Sequence, residues 1–156
     1  MADYLLFNSR IIAQHVVIFG LAIYAYLRAD APERIATSVL PAMIVLQYVN
    51  QIVFPEGGSY EAIEIGDLVI DSLALVVFAG LAIRANRIYP LWLLGAQLIA
   101  VMMHFLRDIS AGMEGGVYFI LTRAPSYIQI VALMAGLYCH RRRIARYGSY
   151  RSWRTS

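Results

Sequence analysis

The chain has 156 residues, of which 60% are hydrophobic and 15% charged, with a formal net charge of +3 and a mean hydropathy of +0.63. This composition lies outside the range of ordinary soluble domains and is typical of integral membrane proteins. The lone Cys139 excludes an intramolecular disulfide, and nothing around it indicates a thiol nucleophile or a cysteine metal site.

Five apolar stretches predict an all-α integral membrane bundle of five transmembrane helices, with four as the alternative. We expect one domain over residues 1–140. The first span, 11–27, is expected to be retained rather than cleaved as a signal peptide. Its apolar core is too long for a signal peptide, and Arg10 is the single basic residue before it. Asp30, Pro32 and Glu33 then form a helix-start pattern of capping residue, first-turn proline and acid.

That pattern opens a second span over 35–54, in which Pro41 predicts a bend. Spans three and four, 66–83 and 90–106, form a hairpin around a basic turn. A fifth apolar stretch, 117–139, is interrupted by Arg123 and Pro125. It is either one kinked helix or a short lead-in followed by a span from Ser126. Small residues four apart, Ala96 with Ala100 and Ala132 with Gly136, predict close helix packing.

The distribution of arginine predicts the topology. With five crossings, ten of the thirteen basic residues fall on one side, and Arg10, Arg107 and Arg123 on the other. The positive-inside rule then places the amino terminus in the periplasm and the carboxyl terminus in the cytoplasm. Residues 141–156 are expected to be a basic tail without a fold of its own, which contacts anionic lipid or a partner protein rather than nucleic acid. The residues expected to make this contact are Arg141, Arg142, Arg143 and Arg146.

With this topology, polar side chains of all five spans fall into one layer near the outer face. The candidate site in this layer consists of His15, Asp67, Asp71, Gln97, His104 and Arg123. A charged group at mid-membrane costs roughly 2.5 to 3.5 kcal/mol, so such groups normally pair. We therefore expect an ion pair between Asp71 and Arg123. The other half of the bundle is expected to be almost entirely apolar.

This layer has either a structural role, holding the helices together, or a role in binding a ligand, proton or cofactor. His15 and His104 are the residue pair that a bis-histidine haem b would need. Together with Asp67 and Asp71 they also offer ligand types suited to zinc, but their spacing is not diagnostic. We assign no metal site from the sequence.

The second half of the chain resembles small multi-span inner-membrane proteins of alphaproteobacterial type, a group without an assigned function. The resemblance rests on residues 71–84, on the RIYPLW segment at 87–92, on His104, and on HRRR at 140–143. It implies a bacterial inner-membrane protein and brings no activity with it.

No catalytic motif is found in the chain. The glycine pairs open no phosphate-binding loop, and no serine has a histidine at a recognisable spacing. The sequence therefore favours a non-catalytic membrane protein, an accessory or assembly subunit that packs against a larger complex or against itself. The alternative is a protein that binds or transports a ligand, a proton or haem through the polar layer.

Overall fold

A computed structural model of the chain describes residues 2–54, 60–106, 115–149 and 151–154, and describes side chains at 9–54, 65–106, 123–149 and 151–154. Most of the two polar loops predicted at 55–64 and 107–116, including Arg107, lies outside these residues.

The described chain forms five helices, and each predicted span lies within one of them except for Phe54, the last residue of the second span, which caps α2. They are α1 (Ala2–Arg28), α2 (Ala31–Val53), α3 (Tyr60–Arg84), α4 (Tyr89–Leu106) and α5 (Gly115–Tyr147). The predicted all-α class is therefore confirmed. In the described residues, α1 to α4 each contain a stretch long and apolar enough to cross a membrane, which indicates a membrane location.

Helix α5 decides between the two alternatives for residues 117–139, one kinked helix or a short lead-in followed by a separate span. It is one continuous helix of 33 residues with Pro125 inside it. It also extends past Cys139 to Tyr147, so residues 141–147 of the predicted tail are helical. The residues from Ile130 to Leu137 supply its buried apolar face, whereas Arg123 and residues 141–147 are exposed.

The helices pack in chain order, with α2 against α1, α3 against α2, α4 against α3 and α5 against α4. Phe78, Leu93 and Leu133, one each from α3, α4 and α5, fill the centre of the core and are at most 2% exposed. Ala36 and Ala74 are buried beside them, where small side chains let the helix backbones approach.

Gly136 shows how closely α4 and α5 approach, as its position in a small-residue pair predicts. A Cβ added to Gly136 would lie 2.7 Å from the Tyr89 ring, so only glycine leaves room for this aromatic side chain. Ala132, its predicted partner one turn earlier, is buried in the same core.

The described part of the carboxyl-terminal tail, 141–149 and 151–154, is folded, so the prediction of a tail without a fold is wrong for these residues. Gly148 has a φ of 72°, the left-handed conformation that commonly ends a helix. The chain then returns to the turn between α3 and α4, where the Asn86 amide donates to the Ser152 carbonyl at 3.2 Å and the Arg154 amide donates to the Arg84 carbonyl at 2.8 Å. Trp153 packs against the core. The apolar area of its indole favours this docking over a solvated tail.

Candidate functional site

A cavity of about 420 Å³ lies among the helices, and all five contribute to its wall. Its floor is apolar and includes Ile18, Leu40 and Met43. The remaining wall is rich in polar side chains, namely Gln14, His15, Gln47, Tyr48, Gln51, Asp71, Gln97, Arg123, Ser126 and Gln129. We call this space the polar cavity.

The structure brings four of the six predicted site residues to this cavity: His15, Asp71, Gln97 and Arg123. The other two contact polar partners close by. Asp67 accepts a hydrogen bond from Asn50 Nδ2 at 3.1 Å, and His104 Nε2 lies 2.8 Å from Asp71 Oδ2. The six residues therefore lie near one end of the bundle, as the predicted layer requires.

Four side chains from three helices form a hydrogen-bonded chain, and three of them, Asp71, Gln97 and Gln129, are part of the cavity wall. His104 on α4 contacts Asp71 on α3. Gln97 Nε2 donates to Asp71 Oδ1 at 3.0 Å, and Gln129 Nε2 on α5 donates to Gln97 Oε1 at 2.6 Å. Gln97 is completely buried. Because the members of the chain satisfy one another, they join α3, α4 and α5 without leaving these polar groups unpaired.

The predicted ion pair between Asp71 and Arg123 is wrong. Among the described side chains, the partner that lies within ion-pair distance of Asp71 is His104. Both Asp71 oxygens are engaged, one by His104 and one by Gln97, and both partners come from the neighbouring arm of the α3–α4 hairpin. Arg123 lies at the rim of the same cavity and is exposed.

The two histidines proposed for haem have separate partners. His15 lies on the cavity wall, with its ring centroid 6.2 Å from that of Tyr48. His104 directs Nε2, a nitrogen that could ligate iron, to Asp71. Their positions therefore do not favour a shared haem. They also do not favour a zinc site, because these histidines and the α3 carboxylates are not among the described groups whose ligand atoms lie close enough to share an ion.

A second polar centre lies at the opposite end of the bundle, and we call Asp30, Glu33, Arg87 and His140 the Glu33 cluster. Arg87 Nε donates to Glu33 Oε1 at 2.7 Å, and His140 Nδ1 lies 3.6 Å from the same oxygen. Glu33 is 1% exposed and His140 2% exposed. Asp30 lies at the edge, where it accepts a hydrogen bond from Ser152 Oγ of the tail at 2.7 Å.

The acidic and imidazole groups of this cluster resemble a metal site in their spacing, since ligand atoms of Asp30, Glu33 and His140 lie within 4.8 Å of one another. Arg87 already supplies the positive charge at that place. Its NH2 atom lies 3.7 Å from Asp30 Oδ2, and its Nε contacts Glu33. A metal ion would have to displace the guanidinium, so the cluster is best explained as a buried ion pair that fixes the helix ends.

The Glu33 cluster also overturns the expectation that this half of the bundle is almost entirely apolar. The sequence does contain a signal for this cluster, because the start of α2 and the ends of α3 and α5 meet at one end of an antiparallel bundle. Glu33 is therefore placed near basic residues. Gln129 was missed as well, although it follows Arg123 and Ser126 at intervals of three on one helix.

Comparison with protein-family models, with curated proteins and with solved structures finds no match for this chain. The two polar centres differ in whether they have space for a ligand. The Glu33 cluster is filled by its own guanidinium. The polar cavity, in contrast, has the volume to hold a ligand.

Proposed function

We propose that the chain is an integral membrane protein that binds a small polar molecule in the polar cavity. Its volume of about 420 Å³ falls within the range of roughly 300 to 1,000 Å³ that is usual for small-molecule sites. The supporting observation concerns the hydrogen bonding of three amides on the cavity wall. The side chains of Gln14, Gln47 and Gln51 make no hydrogen bond to the described residues.

Amides without protein partners are costly in an apolar environment, because each loses its hydrogen bonds to water. Gln14 and Gln47 are half-buried and Gln51 is exposed, while the same helices elsewhere bear mainly apolar side chains, so these amides facing one space favour a cavity that contains water or a polar ligand. A role confined to holding the helices together would be served by paired amides, such as those of Gln97 and Gln129.

The groups on the wall also limit the chemistry of the ligand. Glutamine amides both donate and accept hydrogen bonds, and Arg123 adds a positive charge to the wall. Asp71 is already engaged by two partners and contributes little further attraction for a cation. These properties favour a neutral or zwitterionic molecule with several hydrogen-bonding groups.

We further propose five membrane crossings, with the polar cavity facing the periplasm of a bacterial inner membrane. Gln129 contacts Gln97, and Gly136 lies against Tyr89, which supports an α5 that runs antiparallel to α4 through the same layer. From Arg123 to His140, α5 rises about 26 Å at 1.5 Å per residue, close to the roughly 30 Å of a hydrocarbon core. The bacterial assignment rests on the sequence resemblance, and the orientation on the positive-inside rule.

Thermal unfolding of the purified protein, with a panel of small metabolites, tests the binding proposal. We expect amino acids or polyhydroxylated compounds, but not cations, to raise the melting temperature. A ligand at a hundred times its Kd stabilises the folded state by about 2.7 kcal/mol. The variant Gln47→Leu removes one cavity amide and should lose the shift. Ser38→Ala is the control, because it changes a polar residue of the same helix outside the cavity.

If neither class of compound shifts the wild-type melting temperature, and mass spectrometry of the purified protein finds no bound small molecule, the binding proposal is wrong. A shift that persists unchanged in Gln47→Leu would place the ligand elsewhere.

The role as an accessory subunit is a second proposal, and one observation favours it. In the membrane-spanning stretch of α1, 11% of the residues are buried, compared with 39% in that of α4. This leaves a long apolar face that either lipid or another membrane protein can cover. Cross-linking in native membranes through a photoreactive group at Ile23, which is 61% exposed, shows whether lipid or another protein covers this face. A discrete protein adduct supports the subunit role, and adducts with lipid alone contradict it.

A further inference from the structure

A groove of about 500 Å³ lies between α4 and α5 at the end of the bundle opposite the polar cavity. Its apolar lining includes Ile88, Ala135 and Gly136, and the buried Arg87 and His140 also border it. Its rim carries the exposed side chains of Arg143 and Arg154. Trp92, which is 65% exposed, stands beside it. The groove thus changes from apolar to cationic along its length.

The register of α5 produces this change. Gly136 and Arg143 are seven residues apart and share one face of the helix, and Ala132 lies one turn before Gly136 on the same face. From Ala132 to Arg143 the helix rises about 16 Å. That distance is comparable with the distance from the hydrocarbon region of one leaflet to its headgroups.

The folded tail supplies the second cation. The backbone amide of Arg154 is fixed by its hydrogen bond to the Arg84 carbonyl, and Trp153 anchors the same segment in the core. The Arg154 side chain is thereby held at a groove whose other arginine comes from α5. An unfolded tail would give a diffuse positive charge, whereas this docking places two guanidinium groups at one rim.

We propose that this groove binds one anionic phospholipid. Its phosphate lies between Arg143 and Arg154, and the upper part of one acyl chain lies along Ile88, Ala135 and Gly136. Guanidinium groups pair with phosphate oxygens through two parallel hydrogen bonds, and basic pockets between membrane helices suit anionic headgroups. The apolar lining of the groove favours a phospholipid over free phosphate. Trp92 also has the amphipathic character of interfacial aromatics.

Tryptophan quenching in nanodiscs tests this proposal. The chain has two tryptophans, so Trp153→Phe leaves Trp92 at the groove as the reporter. The probes are brominated phosphatidylglycerol and brominated phosphatidylcholine, each titrated into unbrominated phosphatidylcholine. We expect half-maximal quenching at an about thirtyfold lower mole fraction of the anionic lipid, from the attraction of two arginines. Arg143→Gln combined with Arg154→Gln should abolish this preference.

Arg142→Gln is the matched control, because Arg142 neighbours Arg143, has the same charge and does not line the groove. It should keep the preference for phosphatidylglycerol. Equal loss in Arg142→Gln and Arg143→Gln would overturn the proposal, since it would indicate diffuse attraction to the basic helix end. Displacement of the lipid by 10 mM inorganic phosphate would overturn it as well, as would equal quenching by both lipids together with no retained phosphatidylglycerol on the chain with both tryptophans. Native mass spectrometry of the chain with both tryptophans provides a second readout: one retained phosphatidylglycerol, lost in the double variant.

Discussion

Residues at the start of α2 show how tertiary partners change what a local motif does. Asp30 occupies the N-cap position and Pro32 lies in the first turn, as the helix-start pattern predicts. Asp30 nevertheless makes no side-chain capping hydrogen bond. Its carboxylate accepts from Ser152, and Glu33 pairs with Arg87 instead of reaching back to the cap. The pattern therefore predicted the helix start correctly, but the two acids hold distant segments together.

The variant Arg87→Met tests the importance of this buried pair. Removing the guanidinium leaves Glu33 charged and buried, which should lower the free energy of unfolding by about 3 to 5 kcal/mol. Unfolding in mixed micelles provides the measurement. Arg84→Met, an exposed arginine at the same turn, should change stability by less than about 1 kcal/mol. Adding Glu33→Leu to Arg87→Met should recover most of the loss, and failure to recover would show that the pair is not the cause.

At the level of whole helices, small residues decide where the elements meet. Gly66 of α3 lies against the side chain of Asn50 on α2, and a Cβ there would overlap the Asn50 amide. That amide is buried and donates to Asp67, so the contact joins α2 to α3 at the cavity end of the bundle. Gly80, in the same helix, has no atom within 4 Å of an added Cβ.

These two glycines give a paired prediction within one helix. Gly66→Ala should destabilise the protein by about 1 to 3 kcal/mol, because the added methyl displaces Asn50 and breaks its bond to Asp67. Gly80→Ala should be neutral or stabilise by up to about 1 kcal/mol through helix propensity. Melting temperatures of both variants in one detergent provide the comparison. Equal effects would mean that α2 does not approach α3 at Gly66.

On the scale of the whole molecule, two polar centres lie at opposite ends of an apolar core. The polar cavity receives side chains from all five helices. The Glu33 cluster joins α2, the turn after α3, and α5, and the tail reaches it through Ser152. Polar contacts therefore hold the helices together at both ends of the bundle, while its middle is apolar. This arrangement also leaves the polar cavity and the groove between α4 and α5 at opposite ends of the core.

Five crossings predict that the two ends of the chain lie on opposite sides of the membrane. Cys139 is the sole native cysteine and is exposed, and Ser9 is exposed near the start of α1. A membrane-impermeant maleimide should label Cys139 in inverted vesicles. It should label Ser9→Cys, made in a Cys139→Ser background, in right-side-out vesicles. Labelling of both positions from the same side would establish an even number of crossings.

Periodic apolar runs in the sequence determined the membrane class, the five helices and the position of the polar side chains near one end of the bundle. These properties follow from local patterns, because a side chain's helix face and its distance from a span end are set by its position along the chain. The pairing of Asp71 with His104 rather than Arg123, the burial of Glu33 with Arg87, and the docking of Trp153 were decided only by tertiary structure. Each depends on which helices are neighbours and how they rotate about their axes, and a one-dimensional pattern does not contain either property.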